Sequence, residues 1–329
     1  MKIFVTGGAG YVGSICVEEL LQRGHDVIVF DNLSEGHRIA IDPRATFIHA
    51  DLNDSKSVSL AINTSRPDAV MHFAANALVA ESMQNPYKYF HNNVCGGLNL
   101  LNAMIENGVS RLVFSSTCAT FGTPDRVPID EDTAQNPINP YGESKLMFER
   151  ILRWFDQIHA LTFVALRYFN VAGASEKYGE HHRTETHLIP RVLQVALGRL
   201  PHVEIYGTDF PTPDGTSIRD YIHVQDLASA HILALSADRS GFYNLGTGGG
   251  TSVREVINAC RKITGHAIPT IERPRRAGDP ARLVASSERA RESLGWKPLF
   301  ANIEAIVESA WRWHFAHPAA IRTSLDSAP

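Results

Sequence analysis

Two separated strings hold the residues best suited to chemistry. Tyr141-Gly142-Glu143-Ser144-Lys145 sets a phenol and an ammonium four positions apart, so on a helix they share a face. Thr6-Gly7-Gly8-Ala9-Gly10-Tyr11-Val12-Gly13 contains G-x-G-x-x-G, with Gly7 opening a second register through Gly10 and Gly13. Glycines let a backbone approach a pyrophosphate, and a helix N-terminus supplies N–H donors. A hydride-accepting dinucleotide beside a phenol that can lose its proton is the equipment for oxidising a secondary alcohol. A free tyrosine has a pKa of about 10, and bringing it toward ~7 takes roughly 4 kcal/mol of phenolate stabilisation. Lys145 and the positive charge of an oxidised nicotinamide can supply that. Thr117 closes Ser115-Ser116-Thr117 and can hydrogen-bond the substrate oxygen. On its own, Tyr-x-x-x-Lys is an ordinary surface pair on a helix; beside the glycine string it becomes a catalytic candidate.

The elements that must position these residues alternate. Apolar runs at 3–5, 27–30, 46–48, 69–73, 111–114 and 162–167 read as strands. Helical patterns at 11–23, 86–107 and 141–159 lie between them. The alternation predicts an α/β fold with a Rossmann-like, doubly wound parallel sheet, whose ligands bind at the carboxyl ends of the strands. The glycine string, Asp31, Asp51 and Thr117 all fall at such ends. Asp31 follows Gly13 by 18 residues, where a carboxylate can accept from the adenosine ribose hydroxyls and repel a 2′-phosphate, which favours NAD over NADP. Asp51 either reaches the adenine amino group or caps its own loop. The expected organisation is a cofactor-binding domain over 1–169, with 220–247 returning to it, and a smaller substrate-binding lobe from 170–219 and 248–329.

Composition narrows the function class. The 329 residues are 44% hydrophobic, with 31 basic and 35 acidic side chains and no long run of one sign. That argues against nucleic acid or an anionic membrane as partner. Cys16, Cys95, Cys118 and Cys260 form no CxxC pair, which fits a reducing compartment, so a cytoplasmic protein is expected. His181-His182 lies in a polar loop without a spaced ligand set, so no metal site is expected. Gly246–Gly250 lacks the Gly-Lys-Ser/Thr ending of a phosphate-binding Walker loop and reads as a turn between lobes.

Across nearly its whole length the sequence resembles the extended short-chain dehydrogenase/reductases, and within them the UDP-glucose (UDP-galactose) 4-epimerase family. The strings that carry the resemblance include Thr6–Gly13, Phe30–Leu33, His72–Ala75, Asn92–Val94, Phe114–Thr117, Tyr141–Lys145, Leu166–Asn170, Arg219–Val224, Tyr243–Gly246 and Arg275–Pro280. The resemblance implies an NAD-dependent epimerisation at C4 of a UDP-hexose through a 4-keto sugar, with Tyr141, Lys145 and Thr117 catalytic. It implies cofactor contacts from Gly7, Gly10, Tyr11, Val12, Gly13, Asp31, Asn32, Asp51, Leu52, Phe73, Ala74, Ala75, Asn93, Ser115, Tyr141, Lys145 and Tyr168. It implies substrate contacts from Thr117, Asn170, His187, Leu188, Tyr206, Arg219, Arg276 and Asp279. Cys118 and Ala119 stand where dehydratases and decarboxylases of this group carry an acid, which argues against elimination. Leu283 stands where some epimerases carry a tyrosine that crowds the sugar's 2-substituent. The family commonly dimerises, and the helices at 92–107 and 141–159 are the candidate interface, with Leu98, Leu101, Met104 and Ile105 suited either to it or to the sheet. Another NAD-dependent nucleotide-sugar enzyme, or a non-catalytic NAD-sensing protein, is the alternative.

Overall fold

The computed structural model describes residues 1–276, 278–300 and 302–318. Its central sheet is built from β1 (Lys2–Thr6), β2 (Asp26–Asp31), β3 (Thr46–His49), β4 (Ala69–His72), β5 (Arg111–Thr117), β6 (Thr162–Tyr168) and β11 (Gly241–Leu245). The strands are all parallel, in the order β3-β2-β1-β4-β5-β6-β11. The order reverses between β1 and β4, so a crevice opens outside their carboxyl ends. The central strands are buried on both faces and carry near-continuous apolar runs, as a sheet covered by helices requires.

Alternate residues of each strand feed two cores. Ile3 and Val5 face Val17 and Leu20 of α1 (Tyr11–Gln22) and Leu227 of α8 (Val224–Ala234). On the other side Phe4 and Phe114 meet Ile62 of α2 (Ser55–Ser65), Leu100 and Met104 of α5 (Gly96–Glu106), and Phe148 and Leu152 of α6 (Pro140–His159). Each fully buried side chain of this size contributes about 1.5–3 kcal/mol.

The periodicity of 86–107 predicts one helix, and after short α3 (Val79–Ser82) the chain is helical without a break from Pro86 to Glu106, with a π-turn over His91–Cys95 joining α4 (Pro86–Phe90) to α5. The wider turn brings Asn93 inward, where its side chain donates to Asn76 O and Ser144 Oγ, both at 3.0 Å, and accepts from Asn76 N at 2.9 Å. A local gain of buried hydrogen bonds thus overrides regular α-periodicity.

After Tyr168 the chain leaves the sheet. A separate core joins Leu193 of α7 (Leu188–Ala196), Val203 of β8 (Val203–Tyr206), Val256 of α9 (Val253–Thr264) and Val307 of α11 (Ile303–Ala316). Its ladders are short: β7 (Asn170–Ala172) with β10 (Tyr221–His223), β8 with β13 (Thr270–Arg273), and β9 (Ile218–Arg219) between β12 (Thr251–Ser252) and β14 (Arg282–Leu283). Helix α10 (Glu288–Leu294) packs near β11. Asp220, fully buried, knots this region to the sheet. Its carboxylate accepts from Thr247 N, Thr247 Oγ1, Gly248 N and Ala285 N at 2.7–3.1 Å, and its carbonyl accepts from Asn170 N at 2.9 Å.

Candidate active site

The glycine string runs from the end of β1 into α1. Gly7 has φ +74°, and a Cβ there would lie 2.5 Å from the backbone nitrogen of Ala74. A Cβ on Gly13 would lie 2.2 Å from Gly7 O. Only glycine allows the two chain crossings to touch. Gly10 begins α1 without a side-chain cap and without an acid in the first turn, so the helix N-terminus keeps its donors for an anion. A cleft of about 560 Å³ opens here, lined by Gly7, Gly10, Asp31, Asn32, Asp51, Leu52, Phe73, Ala74 and Ala75 among others. Nine of the expected cofactor contacts therefore share one cavity. Asp31 is buried at its rim, its oxygens accepting from Ala9 N at 3.0 Å and Leu33 N at 2.8 Å. Burial raises its carboxyl, and those two N–H donors pull it back in part. A carboxylate has about four acceptor positions, so it retains capacity for ribose hydroxyls. Asp51 accepts from Asn32 Nδ2 at 2.7 Å and from Asn53 N at 2.8 Å. It both caps its own loop and faces the cleft. An uncapped helix start, a glycine floor and a carboxylate at the ribose position together fit a dinucleotide.

The candidate reacting group, Tyr141, sits on α6. Asn139 caps the helix by accepting from Gly142 N at 2.8 Å, and Pro140 fits the first turn. A Cβ on Gly142 would lie 2.5 Å from Ala119 O, so glycine lets α6 press against the turn after Thr117. Tyr141, Lys145 and Glu149 then form one row at successive turns. All three are buried. Lys145 Nζ donates to Ser115 O at 2.8 Å and lies 4.9 Å from the Phe114 ring centroid. Burial pushes its ammonium down to about 7, against a partial upward pull from Glu149. Burial pushes the Tyr141 phenol well up, Tyr168 adds to this, and a hydrogen bond with Thr117 opposes it. The protein alone therefore keeps Tyr141 a neutral phenol, and a further positive charge is needed to ionise it. Burial pushes the Cys118 thiol up to about 12, so the position after Thr117 offers neither a carboxylic acid nor a thiolate. Ser115 Oγ is hydrogen-bonded to the Tyr168 hydroxyl, and Thr117 lies opposite Tyr168 in the sheet.

Glu149 and Arg167 did not stand out in the sequence. Arg167 donates to Glu149 through Nε at 2.9 Å and Nη2 at 2.7 Å, with both side chains 2% exposed. Ser116 Oγ at 2.6 Å and Gln135 Nε2 at 3.0 Å donate to the same carboxylate. The cluster fixes α6 on β5 and β6. The signal available was spacing: Glu149 continues the Tyr141–Lys145 row by one more turn.

Of the expected substrate contacts, four converge. Arg219 Nη2 lies 3.4 Å and Arg276 Nε 3.6 Å from Asp279, and the Arg276 guanidinium stands 4.5 Å over the Tyr206 ring. Arg219 Nη1 is also anchored on the carbonyls of Ile218 and Pro280. Asn170 begins β7 opposite Tyr221, and Leu188 begins α7. His187 is different: Nδ1 lies 2.7 Å from Glu180, and its backbone nitrogen donates to Glu185 at 2.8 Å. Its imidazole is committed to those carboxylates, because the loop turns back on itself. Tyr11 donates to Gly173 O at 2.6 Å, tying the cradle helix to the same loop.

A family profile described as the NAD dependent epimerase/dehydratase family matches residues 3–246. The chain belongs to that family. Its family relatives include the UDP-glucose 4-epimerase of Lacticaseibacillus casei, 52% identical over 324 residues, spanning 97% of this chain and 98% of the relative. Among solved structures, UDP-glucose 4-epimerase from Brucella ovis in complex with NAD is 45% identical, with a TM-score of 0.92 over 94% of this chain and 97% of that one. UDP-glucose 4-epimerase from Bifidobacterium longum in complex with NAD⁺ and UDP is 39% identical, with a TM-score of 0.93 over 98% and 100%.

Proposed function

We propose that this chain interconverts UDP-galactose and UDP-glucose at C4 with NAD as cofactor. The observation that carries the reading is the buried Tyr141–Lys145 pair at the carboxyl ends of β5 and β6, on a chain whose cradle fits a dinucleotide. The cradle residues would hold NAD, which would supply a reversible hydride acceptor for C4 and, on its oxidised ring, a positive charge near Tyr141. Tyr141 takes the proton of the 4-hydroxyl and gives it back. Thr117 hydrogen-bonds the same oxygen and orients it. Lys145, steadied by Ser115 O and Glu149, supplies charge beside the phenolate. Arg219 and Arg276 hold the diphosphate through paired donors, with Asp279, Tyr206 and Asn170 around the nucleotide and sugar. The grip on the diphosphate leaves the keto sugar free to turn over. Cys118, a neutral thiol, offers no acid to expel a neighbouring hydroxyl, which supports reversible redox without elimination.

The cofactor contacts run from Gly7 and Gly10–Gly13 through Asp31, Asp51 and Phe73–Ala75 to Ser115 and Tyr168. We assign 1–169 with 220–247 to the cofactor domain and 170–219 with 248–318 to the substrate lobe; the expected extension of that lobe over 319–329 lies outside the described residues. A homodimer is the proposed assembly. Leu101 and Met104 are buried against the sheet, so the interface falls to exposed Leu98 on α5 and to Met147, Trp154 and Ile158 on α6. Among the described residues no helix is long and apolar enough to cross a membrane, and the four thiols are free, which supports a cytoplasmic site of action. Incubating the purified protein with UDP-galactose tests the proposal: UDP-glucose should accumulate to equilibrium without net NADH. Absence of product, or stoichiometric NADH, overturns it.

A further inference from the structure

Outside the cofactor cleft, the segment between β7 and α7 gathers four metal-ligating side chains at one point. His187 Nδ1 lies 2.7 Å from Glu180 Oε1 and 3.3 Å from Glu185 Oε1. His182 Nδ1 lies 3.5 Å from Glu180 Oε1 and 3.2 Å from Glu185 Oε2. One donor atom from each residue lies within 4.8 Å of all the others. Tetrahedral N and O ligands at about 2.0–2.1 Å from a zinc ion stand about 3.3 Å from one another. The observed separations straddle that value. Glu180 is 4% exposed, and its Oε1 faces both imidazoles without a hydrogen bond of good geometry. A buried carboxylate oxygen so placed calls for a cation, which an imidazolium of His187 or a bound metal ion can supply.

We propose that Glu180, His182, Glu185 and His187 bind a structural divalent metal of the zinc type. Two carboxylates and two neutral imidazoles balance a dication and suit a borderline ion. All four positions come from the protein, so the site is closed and leaves no place for a reacting water. The His187 backbone nitrogen, donating to Glu185 at 2.8 Å, orients one ligand from outside the shell. The sequence reading weighed only His181-His182, whereas the four side chains lie within eight consecutive positions and only the loop's reversal brings them together.

The segment also reaches the cofactor cleft. Arg183 Nη2 donates to Leu33 O at 3.0 Å and Gly36 O at 3.3 Å, and His181 stacks on His37 with 3.8 Å between ring centroids. The ring of His182 meets Tyr11 edge-on at 6.0 Å. An ion here pins the segment over the loop that follows Asp31. The binding site stands independently of the proposed function.

The test uses the full-length protein stripped with a chelator. Zn²⁺ is titrated in competition with a chromophoric chelator, and Co²⁺ is followed by visible absorption. One equivalent per chain is expected, with the intense bands of four-coordinate Co²⁺. Glu185→Gln and His182→Ala should weaken binding by at least about 100-fold, since losing even an outer-shell partner costs 10–100-fold. His181→Ala should bind as the parent does. Zn²⁺ should raise the melting temperature of the parent and leave that of Glu185→Gln unmoved. Weak six-coordinate Co²⁺ binding, or Zn²⁺ affinity equal in parent and a folded Glu185→Gln, overturns the proposal and leaves an imidazolium–carboxylate cluster. The Co²⁺ spectrum of the parent decides even if the variants fail to fold. None of these readouts involves substrate, so loss of epimerase activity would not imitate their failure.

Discussion

Replacing Glu149 by alanine should damage both stability and chemistry, by amounts the structure sets. The change strands a guanidinium that is 2% exposed and removes the acceptor of two Arg167 donors, Ser116 Oγ and Gln135 Nε2. Leaving one partner of a buried pair unmatched costs about 3–5 kcal/mol. For a chain of this length, at about 2 °C per kcal/mol, the melting temperature should fall by about 6–10 °C. Calorimetry or circular dichroism on protein lacking substrate would measure it. Glu149→Leu with Arg167→Met removes both charges and should recover more than half of the loss, because the desolvation penalty disappears with them. Glu149→Gln keeps the shape, still leaves the Arg167 charge unpaired, and in its folded form reports the effect on Lys145. Burial already holds the Lys145 ammonium low and the Glu149 carboxylate pulls it upward, so removing the carboxylate shifts it further down and favours its neutral form. The kcat of Glu149→Gln should then drop while the KM for UDP-galactose stays within a few-fold. A loss below about 1 kcal/mol in Glu149→Ala, or a double variant no better than the sum of the singles, would refute the assignment of this pair as the anchor of α6.

Tyr141→Phe should lower kcat by roughly 10²–10⁴ with little change in KM, as removal of a proton-transfer group does; a turnover within tenfold of the parent would remove Tyr141 from the mechanism. Trp154→Glu should convert a dimer to a monomer in analytical ultracentrifugation, and an unchanged sedimentation coefficient would move the interface elsewhere. Leu283 is paired with Arg219 in the sheet and packs in a cluster that includes Cys118. Leu283→Tyr should depress turnover of UDP-N-acetylgalactosamine more than that of UDP-galactose, and equal losses would place the 2-substituent elsewhere. Burial holds His72 down at about 3 and His223, His231 and His314 at about 4. The unfolded chain binds those protons near 6.5, so stability is intact above that pH and declines as pH falls from about 6.5 toward 4. A melting temperature that stays flat from pH 7 to about 4.5 would contradict the burial of these rings.

The sheet was legible because strands buried on both faces carry continuous apolar runs: Ile3–Val5 and Val27–Phe30 admit hardly any other reading. The cradle and the Tyr141–Lys145 row were legible because their spacing is local. The second lobe was less so. Strands of two or three residues, such as β9 and β14, have no periodicity to detect and exist only through their partners. The π-turn at 91–95 escaped because Asn93 is drawn in by Asn76 and Ser144, residues 17 and 51 positions away. Leu101 and Met104 suit an interface as well as a core, and only the sheet beneath them decides. Arg167 looked like an ordinary strand end until Glu149 was placed opposite it.

The carboxylate of Asp220 has a mechanical corollary. One anion binds the chain at 247–248 and at 285, while its own backbone meets Asn170 and Leu283, so the segments entering and leaving the second lobe are stitched at a single point without solvent. Such a seam resists hinging. If a hexose must present first one face and then the other to a fixed phenol, the swing has to occur within a rigid chamber, by torsion of the ligand's own bonds. Room around the pyranose, rather than the amplitude of any opening motion, then sets which sugars can complete the half-turn.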